Sequence, residues 1–231
     1  MRPNLPAWWE LSSLAGIDDA TLRSRARRRR FARGETVFHE GDPSGSLHLV
    51  DRGRFAIRLT TPLGEIATVE VMQPGDCFGE LALVEPNTER SATVVALERA
   101  ETLSLDRGTF DQLRREHPGL DRFLLMVVSA RLRATNQQLL EALYIAADVR
   151  VFRCLCRLGE IFAADDRVCI PLTQNDIGAM TGVTRSTVSR MLKQAQTVGA
   201  VAVTRSRIDL LDLSHVRRRA HLGRPATTNP S

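Results

Sequence analysis

Lysine is almost missing from this chain of 231 residues, and Lys193 is the only one among 32 basic side chains. Without a Gly-Lys pair there is no Walker A phosphate loop, and no Gly-x-Gly-x-x-Gly, Gly-x-Ser-x-Gly or His-Glu-x-x-His occurs. His39 precedes Glu40, but Pro43 stands where a zinc protease needs its second histidine. Cysteine is scarce too, and Cys77, Cys154, Cys156 and Cys169 are too scattered for a disulfide framework. No Cys-x-x-Cys and no histidine pair has metal-ligand spacing, so the four read as small buried thiols and no metal is expected. No apolar run is longer than the six residues of Phe123 to Val128, far too short to cross a bilayer. No basic stretch near the N-terminus leads into an apolar segment, so no secretory signal is expected. The expectation is a soluble, cytoplasmic chain with no membrane partner, no catalytic residue and no cofactor.

What is present is ordinary in amount and uneven in placement. Apolar residues make up 43% and charged residues 26%, the balance of a globular protein. Residues 1–150 carry 20 basic and 21 acidic groups, whereas residues 151–231 carry 12 basic and 6 acidic. A neutral part joined to a basic part is what a sensor with a nucleic-acid-binding module shows; a basic solvated face with a charged tail gives the same tally.

From about Phe31 to Leu105 the sequence reads as short strands broken by glycine turns. Thr36 to Phe38, Leu47 to Val50, Phe55 to Leu59, Ile66 to Val71, Thr93 to Leu97 and Glu101 to Leu105 are extended runs, with a turn at Pro62-Leu63-Gly64. Short strands at intervals near ten residues predict an antiparallel barrel or sandwich. Arg25 and Arg27 to Arg30 form a dense basic run just before it, readable as a solvated edge or as a partner contact.

After His117-Pro118 the period changes. From Leu120 to about Ala147 there is no glycine or proline, and Leu125, Leu132, Leu139 and Ala146 recur every seven residues with Ser129, Asn136 and Leu143 interleaved. That is a heptad seam on one long helix of roughly 40 Å, and it predicts a two-stranded homodimer through Leu125, Leu132, Leu139 and Leu143. A helix lying on its own barrel also accounts for an apolar stripe. Further on, Val149 to Phe162 is amphipathic and Asp165-Asp166 breaks it. Thr173 with Asp176 reads as a capping box, Gly182 as a helix stop, and Thr184 as the N-cap of a second helix to Gln196. Val201 to Val203 and Ile208 to Leu211 look like a hairpin, completing a winged helix-turn-helix. The segment from His215 onward reads as a disordered basic tail.

Phe78-Gly79-Glu80-Leu81 followed by Glu89-Arg90-Ser91 is the most informative stretch of the barrel. Arg90 can fork onto two phosphate oxygens, Ser91 can donate to a third, and the glycine lets backbone N–H groups come close. Glu80 repels phosphate, and its natural use is accepting from a sugar hydroxyl. Charge, donor and acceptor together describe a sugar phosphate; a structural Glu80–Arg90 ion pair is the plainer alternative.

This segment resembles the phosphate-binding cassette of cyclic-nucleotide-binding domains. Barrel, long helix and helix-turn-helix in that order resemble the bacterial cyclic AMP receptor protein (catabolite activator) and fumarate–nitrate regulator family of transcription regulators, over roughly residues 15–213. The resemblance implies an α+β fold with an N-terminal antiparallel β-barrel of jelly-roll type, a long dimerisation helix and a C-terminal winged helix-turn-helix. It implies a cyclic-nucleotide-binding barrel at 1–116, a dimerisation helix and hinge at 117–148, a DNA-binding domain at 149–214 and a tail at 215–231. It places Gly79, Glu80, Leu81, Arg90 and Ser91 on the cyclic phosphate and ribose, and Thr135 and Asn136 on the adenine. Asn136 on a seam can equally set helix register.

The second site is carried by Thr184-Arg185-Ser186-Thr187-Val188-Ser189-Arg190. Arginines at the start of a recognition helix can bind guanine bidentately, and small hydroxyls can position phosphates. The expected DNA-facing set is Thr173, Thr184, Arg185, Ser186, Thr187, Ser189, Arg190 and Lys193. The family's commonest pattern has glutamate where Ser186 stands, so its usual operator is not assumed. An acidic residue often found at the hinge is replaced by Ala146, and the hinge is expected near Ala147 to Val151. The expectation is a regulator responding to cyclic AMP, bound to a palindromic double-stranded operator and partnered by RNA polymerase. Alternatives are a relative answering cyclic GMP, cyclic di-GMP or no effector, and a cyclic-nucleotide module without DNA function.

Overall fold

The computed structural model describes residues 7–61, 64–84, 89–164 and 167–221. The chain divides into two compact units, 2–136 and 137–231. Among the described residues no helix is long and apolar enough to cross a membrane.

The first unit begins with helices α1 (Leu11–Ala15) and α2 (Asp19–Arg25). Strands β1 (Arg27–Phe31), β2 (Thr36–Phe38), β3 (Ser46–Arg52), β4 (Phe55–Thr60), β5 (Ile66–Met72) and β6 (Cys77–Phe78) follow. A short helix α3 (Leu81–Val84) precedes β7 (Thr93–Ala96) and β8 (Ala100–Asp106), and α4 (Arg107–Glu116) leads into α5 (Gly119–Tyr144). The strands form two antiparallel sheets, ordered β1-β8-β3-β6 and β2-β7-β4-β5. Here the expected barrel is corrected, because no strand ladder joins the two sheets among the described residues. Closure needs edge strands long enough to pair, and β6 and β2 span only two and three residues. Gly79 and Gly41, at φ of +81° and +85°, stand one and three residues beyond them.

Two apolar clusters hold this unit together. Phe31, Val50, Phe55, Met72, Phe78 and Val94 fill the space between the sheets. Leu47, Leu49, Leu103 and Leu105 instead face the helices, against Trp8, Phe110, Phe123 and Val127. The central strand β3 is therefore buried on both faces, which is why Ser46-Leu47-His48-Leu49-Val50 shows no polar–apolar alternation in burial.

The arginine run lies inside the fold, not before it. Arg27 to Arg30 belong to β1, an edge strand paired with β8, and Arg28 and Arg30 both reach Glu101 at 3.2 and 3.3 Å. A charged edge discourages strand addition by another chain. Helix α5 carries two stripes. Leu120, Phe123, Leu124, Val127 and Ala130 are buried against their own unit, while Leu125, Leu132, Leu139 and Leu143 are 57–67% exposed.

The second unit takes in the end of α5 and then α6 (Ala147–Ile161), β9 (Ala163–Ala164) and β10 (Arg167–Ile170). It continues with α7 (Gln174–Thr181), α8 (Arg185–Thr197), the hairpin β11 (Val201–Val203) and β12 (Ile208–Leu210), and α9 (Leu213–Arg219). The helix break falls at Ile145 and Ala146, so the stretch 147–151 expected as hinge is already inside α6. Arg150 spans the break: its Nη1 donates to the carbonyls of Ala142 and Ile145, and its Nη2 to the Gly182 carbonyl at 3.4 Å. The tail reading is corrected as far as Arg219. Residues Leu213–Arg219 form α9, with Val216 and Ala220 fully buried and Arg219 stacked 4.8 Å over Phe152. Two apolar side chains in a basic stretch are enough to seat one helical face. Cys169 also departs from expectation: it is exposed on β10, whose Val168 and Ile170 alternate inward. Pro62, Leu63, Asp165 and Asp166, read as turn and breaker, lie outside the described residues, as do 222–231.

Candidate functional site

Between the sheets and α5 the first unit holds a cleft of about 100 Å³. Phe38, Ile57, Met72 and Phe78 line its apolar side, and Glu80, Arg90, Ser91 and Arg131 its polar side. Five sequence-nominated residues come together there: Gly79, Glu80, Leu81, Arg90 and Ser91. Thr135 and Asn136 do not join the lining; they stand further along α5.

Arg90 is buried beneath the cleft, with its guanidinium carbon 4.0 Å over the Phe38 ring. Its Nη1 donates to the Ser46 carbonyl and its Nη2 to the Ser46 hydroxyl, both at 2.9 Å. Two bonds to one residue use the end-on edge of the guanidinium. The side-on edge, Nε–H with the second Nη2–H, is left over, and Nε is a buried donor without a hydrogen-bond partner. That edge is the fork that matches two oxygens of a phosphate. Burial pulls the Arg90 charge below its ordinary stability, with the charges of Asp42 and Glu80 acting the other way. The glycine at 79 admits this arginine: a Cβ there would lie 2.6 Å from Arg90 Nη1 and 2.7 Å from the Ser46 carbonyl.

Glu80 does not pair with Arg90 as the plain alternative had it. Its Oε1 meets Nη1 of Arg131 from α5, whose Nη2 donates to the Cys77 carbonyl. Burial opposes the Arg131 charge, yet the facing Glu80 carboxylate and its acidic neighbours outweigh it, and the guanidinium is held above its ordinary value. Glu80 Oε2 remains a buried acceptor without a partner. Among the residues lining the cleft, Arg90 and Arg131 each keep a buried Nε without a partner and Glu80 a buried Oε2, donors and an acceptor of the kind a sugar phosphate needs. Arg131 escaped the sequence reading. The one signal available was its place a single turn before Thr135 on the same helix face.

The second unit places the other nominated residues. Thr173 closes a full capping box with Asp176, so its hydroxyl is committed to starting α7. Gly178 lets α7 approach the turn, since a Cβ there would sit 2.8 Å from the Val183 carbonyl. Thr184 caps α8, accepting from the Thr187 amide, and its hydroxyl lies 3.0 Å from those of Ser186 and Thr187. Val188, Met191, Leu192 and Ala195 bury one face of α8; Arg185, Ser186, Ser189, Arg190 and Lys193 are exposed on the other. The exposed face is basic and small, as a helix entering the major groove requires.

Residues 28–117 match the cyclic nucleotide-binding domain and residues 149–219 the Crp-like helix-turn-helix domain. The chain is 31% identical over 180 residues to the cyclic AMP receptor protein of Thermus thermophilus, covering 76% of this chain and 79% of that one. It belongs to the cyclic AMP receptor protein and fumarate–nitrate regulator (CRP/FNR) family.

Another relative in the CRP/FNR family is the CRP-like cAMP-activated global transcriptional regulator of Mycobacterium tuberculosis, 29% identical over 194 residues and covering 82% and 86% of the two chains. A solved CRP/FNR-family transcriptional regulator from Thermus thermophilus superposes with a TM-score of 0.70 at 21% identity, over 84% of this chain and 98% of the other, a likeness of fold. As a CRP/FNR member the chain is a transcription regulator with a DNA-binding helix-turn-helix, and its matched relatives are regulators, not enzymes. Among the described residues no cluster of His, Cys, Asp and Glu is placed to hold a metal.

Proposed function

We propose that this CRP/FNR regulator is a cytoplasmic homodimer that takes cyclic AMP into the cleft and reads a palindromic operator in response. The observation that carries the reading is two of the partnerless polar atoms on the lining residues: Nε of Arg90 for the cyclic phosphate and Oε2 of Glu80 for the ribose. Gly79 and Leu81 complete the cradle, Ser91 supplies a hydroxyl, and Thr135 and Asn136, which stand off the cleft within one chain, meet the base in the dimer, one from each subunit. The Thermus and Mycobacterium relatives are both cyclic-AMP proteins by name, which favours that nucleotide.

In this reading residues 1–116 are the sensor, 117–148 the dimer helix with its break, and 149–214 the DNA reader, with RNA polymerase as a further partner. The exposed leucines of α5 are the dimer seam. Arg185 and Arg190 read guanines, Ser186 alters the preference at the base it faces, and Thr184, Thr187, Ser189 and Lys193 position the backbone. The ligand acts only by its different affinity for two arrangements of the dimer.

Calorimetric titration with cyclic AMP tests the pocket. Wild-type protein is expected to take up nucleotide, and Arg90→Ala to lose affinity by roughly tenfold or more, the worth of a charge-assisted pair of bonds. Unchanged uptake in the variant removes the pocket assignment. Cyclic GMP and cyclic di-GMP, run in parallel, show whether another effector binds more tightly.

A further inference from the structure

We propose that His48 is a positioning residue that aims the Arg90 fork through Ser46, an inference that rests on the cleft being a cyclic-nucleotide site. His48 does not line the cleft. It sits on β3 with no exposed surface, its ring parallel to Phe78 at 5.1 Å and tilted against Phe38 at 5.9 Å. A histidine in such an apolar slot costs stability unless both ring nitrogens are satisfied. Here both are: Nδ1 lies 3.1 Å from the Thr102 hydroxyl and Nε2 lies 3.1 Å from the Ser46 hydroxyl.

The direction of these bonds follows from what each group can do. The Thr102 hydroxyl is fully buried and bonds to His48. A buried donor left idle costs more than a spare lone pair, so Thr102 donates and Nδ1 accepts. The ring proton is then on Nε2, which donates to Ser46 Oγ. Ser46 Oγ accepts a second hydrogen from Arg90 Nη2 at 2.9 Å, since guanidinium can only donate. Both lone pairs of one oxygen are thereby filled, one by His48 and one by Arg90. Burial, with the charges of Arg90 and Arg29, pushes the imidazole down to about 3, so Nδ1 stays an acceptor at any working pH.

Without His48 the Ser46 hydroxyl is free to turn to another staggered position, and Arg90 keeps only its bond to the Ser46 carbonyl. The guanidinium can then rotate, and its two inequivalent donors, Nε–H and the second Nη2–H, are no longer each held to one exocyclic oxygen. The relay Thr102–His48–Ser46–Arg90 selects between the two exocyclic oxygens of a cyclic phosphate, beyond adding affinity.

The test titrates full-length protein with the Sp and Rp phosphorothioate diastereomers of cyclic AMP, each placing sulfur, a poor acceptor, at one of those oxygens. Wild type is expected to prefer one diastereomer. His48→Phe keeps ring and stacking but donates nothing, and should shrink that preference about three- to tenfold, the worth of one hydrogen bond. His48→Gln, whose amide can donate to Ser46, should restore it. A purely structural role would weaken both diastereomers alike and leave their ratio unmoved; that result overturns the proposal, as does equal binding of both by wild type. If His48→Phe does not fold, Ser46→Ala and Thr102→Val are read by the same ratio: a shrunken preference supports the relay and an unmoved one overturns it. Failure of wild type to bind any cyclic nucleotide brings down the nucleotide reading itself, and this inference with it.

Discussion

Glu80 and Arg131 carry opposite charges in a place where neither is well hydrated, the Glu80 side chain being 5% exposed and the Arg131 side chain 26%. Removing one partner of such a pair leaves the other charge buried and unpaired, whereas removing both is far milder. Arg131→Leu is therefore expected to lower stability by about 3 kcal/mol in urea denaturation, and Glu80→Gln added to it to recover most of the loss. Full additivity of the two changes would show that the pair is not coupled. At this scale legibility tracked distance along the chain. Gly79, Glu80, Arg90 and Ser91 lie within about a dozen residues and announced themselves by spacing. Arg131 reaches Glu80 from 51 residues away, and His48 reaches Thr102 from 54, so neither pairing is written in the local sequence.

Helices and strands were read where their signals are self-contained. Thr173 with Asp176, Thr184, and Gly182 at φ of +64° mark the helix-turn-helix by capping chemistry that needs no tertiary help. Ala146 shows the opposite case, an N-cap of α6 with no side chain to accept an amide. Ala146→Asp should stabilise the second unit by about 1 kcal/mol, seen as a higher urea midpoint, because it satisfies a free amide and complements the helix dipole. An unchanged or lower midpoint would mean the break is set by Arg150 and not by the missing cap. Strand β1 was missed because four arginines in a row show no apolar alternation. Its place at a sheet edge is supplied by Ser104, Leu103, Thr102 and Glu101 across the ladder, all remote in sequence.

For the whole molecule the unpaired leucines of α5 matter most. Leu125, Leu132, Leu139 and Leu143 follow the heptad period and remain exposed, while the interleaved stripe of the same helix is buried. Large apolar side chains left in a line on a helix mark an association face. Leu132→Glu with Leu139→Glu is expected to convert the proposed dimer to a lone subunit in sedimentation velocity. A wild-type protein that already sediments as a single chain would dismiss the seam.

Order along the chain, the period of each segment and the chemistry of the caps were settled by local residue choice, because strand alternation, heptad spacing and capping act over a few residues. The family resemblance rested on the same short-range marks. Which groups share the cleft, that the sheets stay open, and that Arg27 to Arg30 form an edge strand were decided only in three dimensions. Those outcomes depend on which remote side chains are left without water and must find a partner, and burial of that kind is a property of the packed chain alone.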